Sequence, residues 1–244
     1  MAIAYHTDPG AKRPDNQDYV GAFTNSFGRT MVIVADGVTS NEGGEVASAM
    51  TVEHFGHAWE SSQLETIVPT IEWLKNQTII ENQTILEAGQ RFEELSEMAT
   101  TLVLAVLFDD QVVVANLGDS KAFLLHGNEL TQLSFDHTLK NEMIRSGALS
   151  TESASNLPNA RSVTRFLGVD QHAILEVIQH EFVGDDMLFL TTDGITKVLT
   201  QDEIKATMRL EASLDIRVFD MIQQANNHGA PDNVTAVLVT HEKD

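Results

Sequence analysis

The sequence predicts an α+β fold in which antiparallel β-sheet is packed against helices. Short runs rich in β-branched residues recur along the chain, bounded by Asp, Gly or Asn as strands usually are. These runs cluster and do not alternate strictly with helices, which favours antiparallel over parallel sheet. They lie at 30–35, 101–108, 111–116, 187–191 and 234–240.

The segments between these runs predict one hairpin and several helices. Asp109 and Asp110 separate the second run from the third, so a tight hairpin turn is expected there. Apolar residues at helical spacing predict two long helices, one with the stripe Val46, Met50, Val52, Phe55 and Trp59, and one with Ile71, Leu74, Thr78, Ile85 and Phe92. Shorter helices are expected at 137–146, 201–209 and 213–227, and a polar surface loop at about 146–162. The chain is expected to form one domain, 1–244.

Composition excludes several functional classes. The chain has 244 residues and a formal net charge of −21, from 15 Lys and Arg against 36 Asp and Glu, so no binding to nucleic acid is expected. It contains no cysteine, which excludes disulfides, thiolate zinc sites and a thiol nucleophile. No apolar run approaches the ~20 residues that span a bilayer, and the first residues lack a signal-peptide pattern. A cytoplasmic protein without membrane contact is therefore expected.

The positions of aspartate carry the most functional information. Five aspartates lie where strand-like runs begin or end, so a rigid scaffold would fix their side chains. They are Asp18, Asp36, Asp119, Asp193 and Asp232. Any single Asp-Gly pair, such as Asp36-Gly37, is most simply an ordinary turn. The recurrence at strand ends favours a shared site, although the sequence alone does not show that the five meet.

Converging carboxylates repel one another, and hard divalent cations relieve that repulsion. Oxygen-only ligands suit Mg²⁺ or Mn²⁺. Two such ions about 3.5–4 Å apart can bind a bridging water and stabilise displacement at phosphorus. Because Gly37 lacks a side chain, its carbonyl could also reach a metal. Arg13 could grip a phosphate with two parallel hydrogen bonds, although on its own it is typical of a surface arginine.

Together these segments resemble the metal-dependent protein phosphatases of type 2C, especially their compact bacterial members. The resemblance covers almost the whole chain, in the family's order. It is carried by RPDNQD at 13–18, ADGVTSNEGGEVAS at 35–48, MATTL at 98–102, ANLGDSKAFLL at 115–125, LTQLSFDHTL at 130–139, TRFLG at 164–168, LTTDGI at 190–195 and GAPDNVTAVLV at 229–239.

The resemblance implies two stacked antiparallel sheets flanked by pairs of antiparallel helices, with a binuclear Mn²⁺ or Mg²⁺ centre at one edge. Asp36, Asp193 and Asp232 match the family's catalytic core metal ligands. Gly37 matches the glycine that offers its carbonyl to a metal.

Further positions match outer parts of that site. Asp18 matches an acidic residue that holds the site directly or through water, and Asp119 matches a ligand of a third, weaker ion. Arg13 matches the phosphate-binding arginine, and 137–162 corresponds to the family's mobile flap. The implied activity is hydrolysis of phosphoserine and phosphothreonine in proteins by a metal-bridging water. The implied substrates are targets of a serine/threonine kinase in the same cell, and the enzyme is expected to be a monomer.

Two positions depart from the family's pattern. Some members carry glutamate where this chain has Gln17, and a neutral amide is a poorer cation ligand. The family's Asp-Gly motif often continues to a histidine proposed as general acid, and Asn41 stands in its place here. Because an amide does not donate a proton usefully near neutral pH, slow hydrolysis of alkyl phosphates relative to aryl phosphates is expected.

Three other interpretations concern a zinc site, a non-catalytic module and a different class of substrate. His54 and His57 share a helix face, but no zinc ligand set accompanies them, so surface or core-edge positions are expected. His137 belongs to a family motif without being a metal ligand, which indicates a structural role.

The chain could also be a non-catalytic binding module, with Asn41 as a sign of decay, or a hydrolase of small phosphate esters. The retained aspartates argue against decay, whereas only the resemblance favours protein substrates.

Overall fold

A computed structural model describes residues 1–38 and 43–241 of the chain. Within these residues the strands form two antiparallel sheets of five strands each. The first sheet contains, in spatial order, β1 (Ala2–Asp8), β10 (Val234–Thr240), β9 (Met187–Thr191), β6 (Lys121–His126) and β7 (Glu129–Gln132). The second contains β2 (Asp18–Thr24), β3 (Thr30–Asp36), β4 (Leu102–Leu107), β5 (Gln111–Leu117) and β8 (Glu176–Glu181).

The helices lie outside the two sheets and at the end that carries the aspartates. In chain order they are α1 (Gly44–Glu60), α2 (Ile67–Arg91), α3 (Leu139–Arg145), α4 (Thr151–Ser155), α5 (Asp193–Thr196), α6 (Gln201–Met208) and α7 (Leu214–Asn227). A 3₁₀ turn, Glu93–Leu95, follows α2.

Three apolar layers hold the sandwich together. Between the sheets, Val34 of β3 and Val103 of β4 pack in one cluster with Val237 of β10. Outside the second sheet, α1 and α2 bury a cluster that includes Phe55, Trp59, Leu74, Ile33 and Leu104. Outside the first sheet, α6 and α7 bury a cluster that includes Ile204, Met221, Ile222, Phe189 and Leu238. Each large side chain removed from water in this way contributes about 1.5–3 kcal/mol.

This order of layers, helix–sheet–sheet–helix, confirms the predicted fold class. The strands expected from β-branched runs are present, and Leu107 pairs with Val112 across the hairpin turn expected at Asp109-Asp110. Both long helices are also present. The prediction for Phe92 was wrong, because this residue ends α2 and is 52% exposed.

The polar segment 146–162 also differs from the loop expected there. It contains the short helix α4, whose N-cap Ser150 accepts a hydrogen bond from the backbone N–H of Ser153. Ala154 of α4 is fully buried, which anchors the segment. A single buried alanine in a polar stretch produces no apolar stripe, so periodicity could not reveal this helix.

Within the described ranges, no helix is both long enough and apolar enough to cross a lipid bilayer. His54 and Glu81 join α1 to α2, with His54 Nδ1 2.9 Å from Glu81 Oε2. This contact lies within the helical layer, so His54 is at the edge of the core, as the sequence predicted.

Candidate active site

Four of the five aspartates meet at one pocket of about 290 Å³. Asp36 ends β3, Asp119 lies in the turn between β5 and β6, Asp193 begins α5, and Asp232 precedes β10. The pocket is lined by Asp36, Gly37, Val38, Thr101, Asp119, Ser162, Val163, Phe166, Asp193, Lys197 and Asp232. Residues far apart in sequence therefore converge because antiparallel strands of two stacked sheets end at the same edge.

Asp18 is buried next to this pocket and does not line it. It is paired directly with Asp36 across the β2–β3 ladder. Its Oδ2 accepts hydrogen bonds from Thr192 Oγ1 at 2.8 Å and from Thr235 Oγ1 at 2.7 Å, whereas its buried Oδ1 has no partner among the described residues. Burial raises the pKa of Asp18 to about 7, although the two hydroxyls oppose the shift.

Two of the pocket aspartates also have raised pKa values. Burial raises the pKa of Asp36 well above its ordinary value, and the charges of Asp18 and Asp193 raise it further. Burial raises the pKa of Asp119 to about 6, Asp193 adds to the shift, and the ammonium of Lys121 opposes it. Both pKa values are raised because burial and neighbouring carboxylates disfavour the ionised form, so these side chains take up a proton or bind a cation more readily.

Gly37 is required by close approach of the backbone. Its N–H donates to the carbonyl of Gln17 at 3.0 Å, and it forms an isolated β-bridge with Thr100. A side chain at this position would clash with the carbonyl of Gly44 and would lie 2.7 Å from that of Gln17. Only glycine therefore lets the end of β3, the start of α1 and the loop before β2 meet beside the pocket.

Lys197 stands between two pocket carboxylates. Its Nζ lies 2.7 Å from Asp193 Oδ2 and 2.8 Å from Asp232 Oδ2. Burial disfavours the lysine charge, but the two carboxylates outweigh this effect and raise the pKa of Lys197. Sequence reasoning missed this residue. A lysine four positions after an aspartate is common on helices, and nothing local links it to Asp232.

Arg13 lies at the rim of the pocket. Its Nε is 3.1 Å from Asp232 Oδ1 and donates to the carbonyl of Pro231 at 3.2 Å. The side chain is 36% exposed, so the guanidinium remains accessible from solvent. Arg13, which the sequence predicted to bind phosphate, therefore lies next to the aspartates of the pocket.

Asn233 ties the segment that carries Arg13 to the pocket. Its Oδ1 accepts a hydrogen bond from the backbone N–H of Gln17 at 2.9 Å. Its Nδ2 donates to the carbonyl of Pro9 at 2.9 Å and to that of Asp15 at 2.8 Å, on either side of Arg13 in the sequence. The segment 9–17 is called the Arg13 segment below. Sequence reasoning missed this role, although the position of Asn233 directly after Asp232 could have signalled it.

Gln17 and Asn41 are the two positions where the sequence departs from the family pattern, and the structure describes only the first of them. The side chain of Gln17 is not part of the pocket lining, and its Nε2 donates to Glu45 Oε2 at 3.3 Å. Its buried Oε1 has no partner among the described residues. Asn41, the residue in the place of the family's histidine, lies outside the described residues.

The predicted flap, 137–162, borders the pocket at its C-terminal end. Ser162 and the following Val163 line the pocket, and Val163 forms an isolated β-bridge with Thr138 that closes the base of the segment. His137 is fully buried, and its Nε2 lies 3.1 Å from Glu176 Oε2. This contact supports the structural role predicted for His137.

The donor set fits hard divalent cations in its chemistry. As the side chains stand, residues 1–38 and 43–241 contain no group of three carboxylates or imidazoles that could ligate one ion. Two basic side chains form ion pairs with carboxylates of the pocket. Lys197 bridges Asp193 and Asp232, and Arg13 also contacts Asp232. The orphaned Oδ1 of Asp18 is a further acceptor that a nearby cation or an ordered water would satisfy. The oxygen donors and the excess of negative charge are what a Mg²⁺ or Mn²⁺ site requires, and the two basic side chains offset only part of that charge.

Comparison with known proteins assigns this chain to a family. Residues 11–239 match the protein phosphatase 2C family. Protein phosphatase PhpP of Streptococcus pneumoniae serotype 2 is 36% identical over 245 residues, which cover 98% of this chain and 97% of that protein. Serine/threonine phosphatase stp of Listeria welshimeri is 36% identical over 240 residues, with coverage of 98% and 95%. The structure of the Streptococcus agalactiae serine/threonine phosphatase superposes with a TM-score of 0.91 at 30% identity, covering 97% of this chain and 98% of that one.

The chain therefore belongs to the protein phosphatase 2C family, and it is a protein-serine/threonine phosphatase.

Proposed function

We propose that this enzyme hydrolyses phosphoserine and phosphothreonine in proteins at a binuclear Mn²⁺ or Mg²⁺ centre, with a water that bridges the ions as nucleophile. The main support for this proposal is that four aspartates line one pocket: Asp36, Asp119, Asp193 and Asp232. Oxygen-only ligands suit these two metals, and membership of the protein phosphatase 2C family supports metal dependence.

The residues in and beside the pocket would have different roles. Asp36, Asp193 and Asp232, with the carbonyl of Gly37, would hold the two core ions. Such ions, when bound, supply an activated water and offset the charge that develops on the phosphoryl group. Asp18 would fix the position of Asp36 through the β2–β3 ladder, because the two residues are directly paired.

Arg13 would bind the phosphate of the substrate. Its guanidinium already faces Asp232 from the rim, and it can present two parallel N–H donors to phosphate oxygens. The segment 137–162 would act as a flap over the bound phosphoprotein, since Ser162 borders the pocket.

The substrates we propose are phosphorylated proteins, the targets of a serine/threonine kinase in the same cell. The names of the relatives, protein phosphatase and serine/threonine phosphatase, support this class. We propose that 1–244 acts as a single catalytic domain and as a monomer in the cytoplasm. The net charge of −21 supports the monomer, because self-repulsion opposes association of identical chains.

A substrate comparison tests this proposal. The metal-stripped protein, with and without added Mn²⁺, would be assayed on peptides bearing phosphothreonine, phosphoserine or phosphotyrosine and on a small alkyl phosphate. We expect Mn²⁺-dependent phosphate release from the first two peptides, with kcat/KM at least about tenfold above the small ester, because binding of flanking residues contributes to the transition state. Equal or faster turnover of the small ester would instead indicate a small-molecule phosphatase.

A further inference from the structure

Lys197 joins two carboxylates that come from different parts of the chain. It follows α5 one turn after Asp193, and its Nζ lies 2.7 Å from Asp193 Oδ2. The same Nζ donates a 2.8 Å hydrogen bond to Asp232 Oδ2. A lysine–aspartate pair on one helical turn would by itself be an ordinary surface pair that contributes little to stability. The second carboxylate, which precedes β10, makes this contact a bridge across the pocket.

The charge of Lys197 also reaches Asp119. Burial raises the pKa of Asp119, and the ammonium groups of Lys121 and Lys197 both act against that shift. Lys121 is held by the backbone carbonyl of Asp119 at 2.8 Å and by Asp136 Oδ2 at 2.7 Å. Two lysines therefore supply positive charge near Asp119, and one of them, Lys197, also contacts Asp193.

We propose that Lys197 supplies, as a fixed side-chain cation, the positive charge that a third divalent ion would supply beside Asp119 and Asp193, and that it limits the centre to two ions. This inference rests on the metal centre of the proposed function.

Electrostatics gives the reason. A third ion beside Asp193 would be repelled by the ammonium at short range, and it would have to displace a charge-assisted hydrogen bond from Asp193 Oδ2. The bridge also holds the Asp193 and Asp232 carboxylates in a fixed relation. Lys197 is therefore a positioning residue, and it does not itself contact the reacting phosphoryl group.

Counting bound Mn²⁺ tests the inference. Equilibrium dialysis, with free Mn²⁺ read from its electron paramagnetic resonance signal, would be applied to wild type and to Lys197→Asn, Lys197→Met and Lys197→Arg. Wild type and Lys197→Arg should bind two ions per chain. Lys197→Asn, which removes the ammonium and adds an oxygen donor, should bind a third and weaker ion. Lys197→Met should bind its first two ions at least about tenfold more tightly, because a nearby like charge is gone.

The double variant Asp119→Asn/Lys197→Asn is the matched control. If the additional ion lies beside Asp119, this variant should return to two ions per chain. Circular dichroism and the melting temperature in chelator would show that each variant is folded, so a changed stoichiometry would not reflect unfolding.

The outcomes separate this inference from the proposed function. Three ions in wild type, or two in a folded Lys197→Asn, would overturn the inference and leave the binuclear proposal intact. A third ion that persists in the double variant would also overturn it, because the extra site would not involve Asp119. No specific Mn²⁺ binding by wild type would overturn both.

Discussion

The buried carboxylates beside the pocket make the stability of the metal-free protein depend on pH. Burial raises the pKa of Asp18 to about 7, from 3.8 in water. The native state therefore keeps a proton over a range in which the unfolded chain has lost it. The stabilisation from that proton is complete below the unfolded-state pKa and is lost as pH rises through the native pKa. Asp36 and Asp119 act in the same direction, because their pKa values are also raised.

The first prediction concerns Asp18. In chelator, the free energy of unfolding of wild type should fall as pH rises from about 5 to 8, and Asp18→Asn should flatten this fall. At pH 8 the variant should be the more stable protein, by at most roughly 4 kcal/mol for a shift of this size. Urea unfolding at several pH values measures it. The exposed Asp202→Asn is the control and should keep the wild-type profile, whereas an unchanged slope in Asp18→Asn would contradict the account.

The second prediction concerns Asn233. Asn233→Ala leaves the backbone N–H of Gln17 and two carbonyls without their side-chain partner. We expect a loss of about 2–3 kcal/mol in the free energy of unfolding. Because this residue anchors the Arg13 segment, KM for a phosphopeptide should rise as well. Gln83→Ala, which removes one exposed hydrogen bond to Glu87 on α2, should change neither quantity. Wild-type stability in Asn233→Ala would contradict the anchoring role.

At the residue level, the sequence predicted the carboxylates and missed their neighbours. The five aspartates were found because strand ends mark where a rigid scaffold presents side chains. Lys197 and Asn233 were missed because their roles depend on contacts between α5, β10 and the loop before β2. Such contacts between distant segments leave no periodic signal in a single sequence.

At the level of elements, hydrophobic pattern predicted the interior strands better than the edge strands. β3 and β4 are buried on both faces and contain continuous apolar runs. β1 and β8 lie at the edges of their sheets, with mixed sequences and exposed positions, and neither was predicted. Edge strands avoid long apolar runs, since these would invite pairing with other chains.

The third prediction compares two phenylalanines of the helical layer. Phe55 of α1 is fully buried and packs edge-on against Trp73, whereas Phe92 at the end of α2 is 52% exposed. Phe55→Ala should cost about 3–5 kcal/mol, through lost burial and the cavity left behind. Phe92→Ala should stay within about 0.5 kcal/mol of wild type. Chemical denaturation of both variants measures this, and equal costs would show that the amphipathic stripe was assigned wrongly.

At the level of the whole molecule, the acidity of the chain and the acid-lined pocket predict stabilisation by metal. The net charge is −21, and four aspartates share one pocket. The fourth prediction is that Mn²⁺ at about 100 times its dissociation constant adds about 2.7 kcal/mol to the free energy of unfolding. For a chain of this size the melting temperature should rise by roughly 5–10 °C. Calorimetry with Mn²⁺ and with chelator measures the shift, with Na⁺ at equal ionic strength as control. A shift that Na⁺ reproduces would indicate general screening and no specific site.

The central claim is that the pocket aspartates hold the divalent ions on which phosphatase activity depends. Its most direct test is phosphate release from a phosphothreonine peptide by metal-stripped wild type, Asp36→Asn and Asp193→Asn, each titrated with Mn²⁺. We predict no turnover without metal, recovery of wild type with Mn²⁺, and a loss of at least about 10³-fold in kcat in both folded variants, equivalent to about 4 kcal/mol of transition-state stabilisation. Full activity of metal-stripped wild type, or near-wild-type kcat in either variant, would contradict the account.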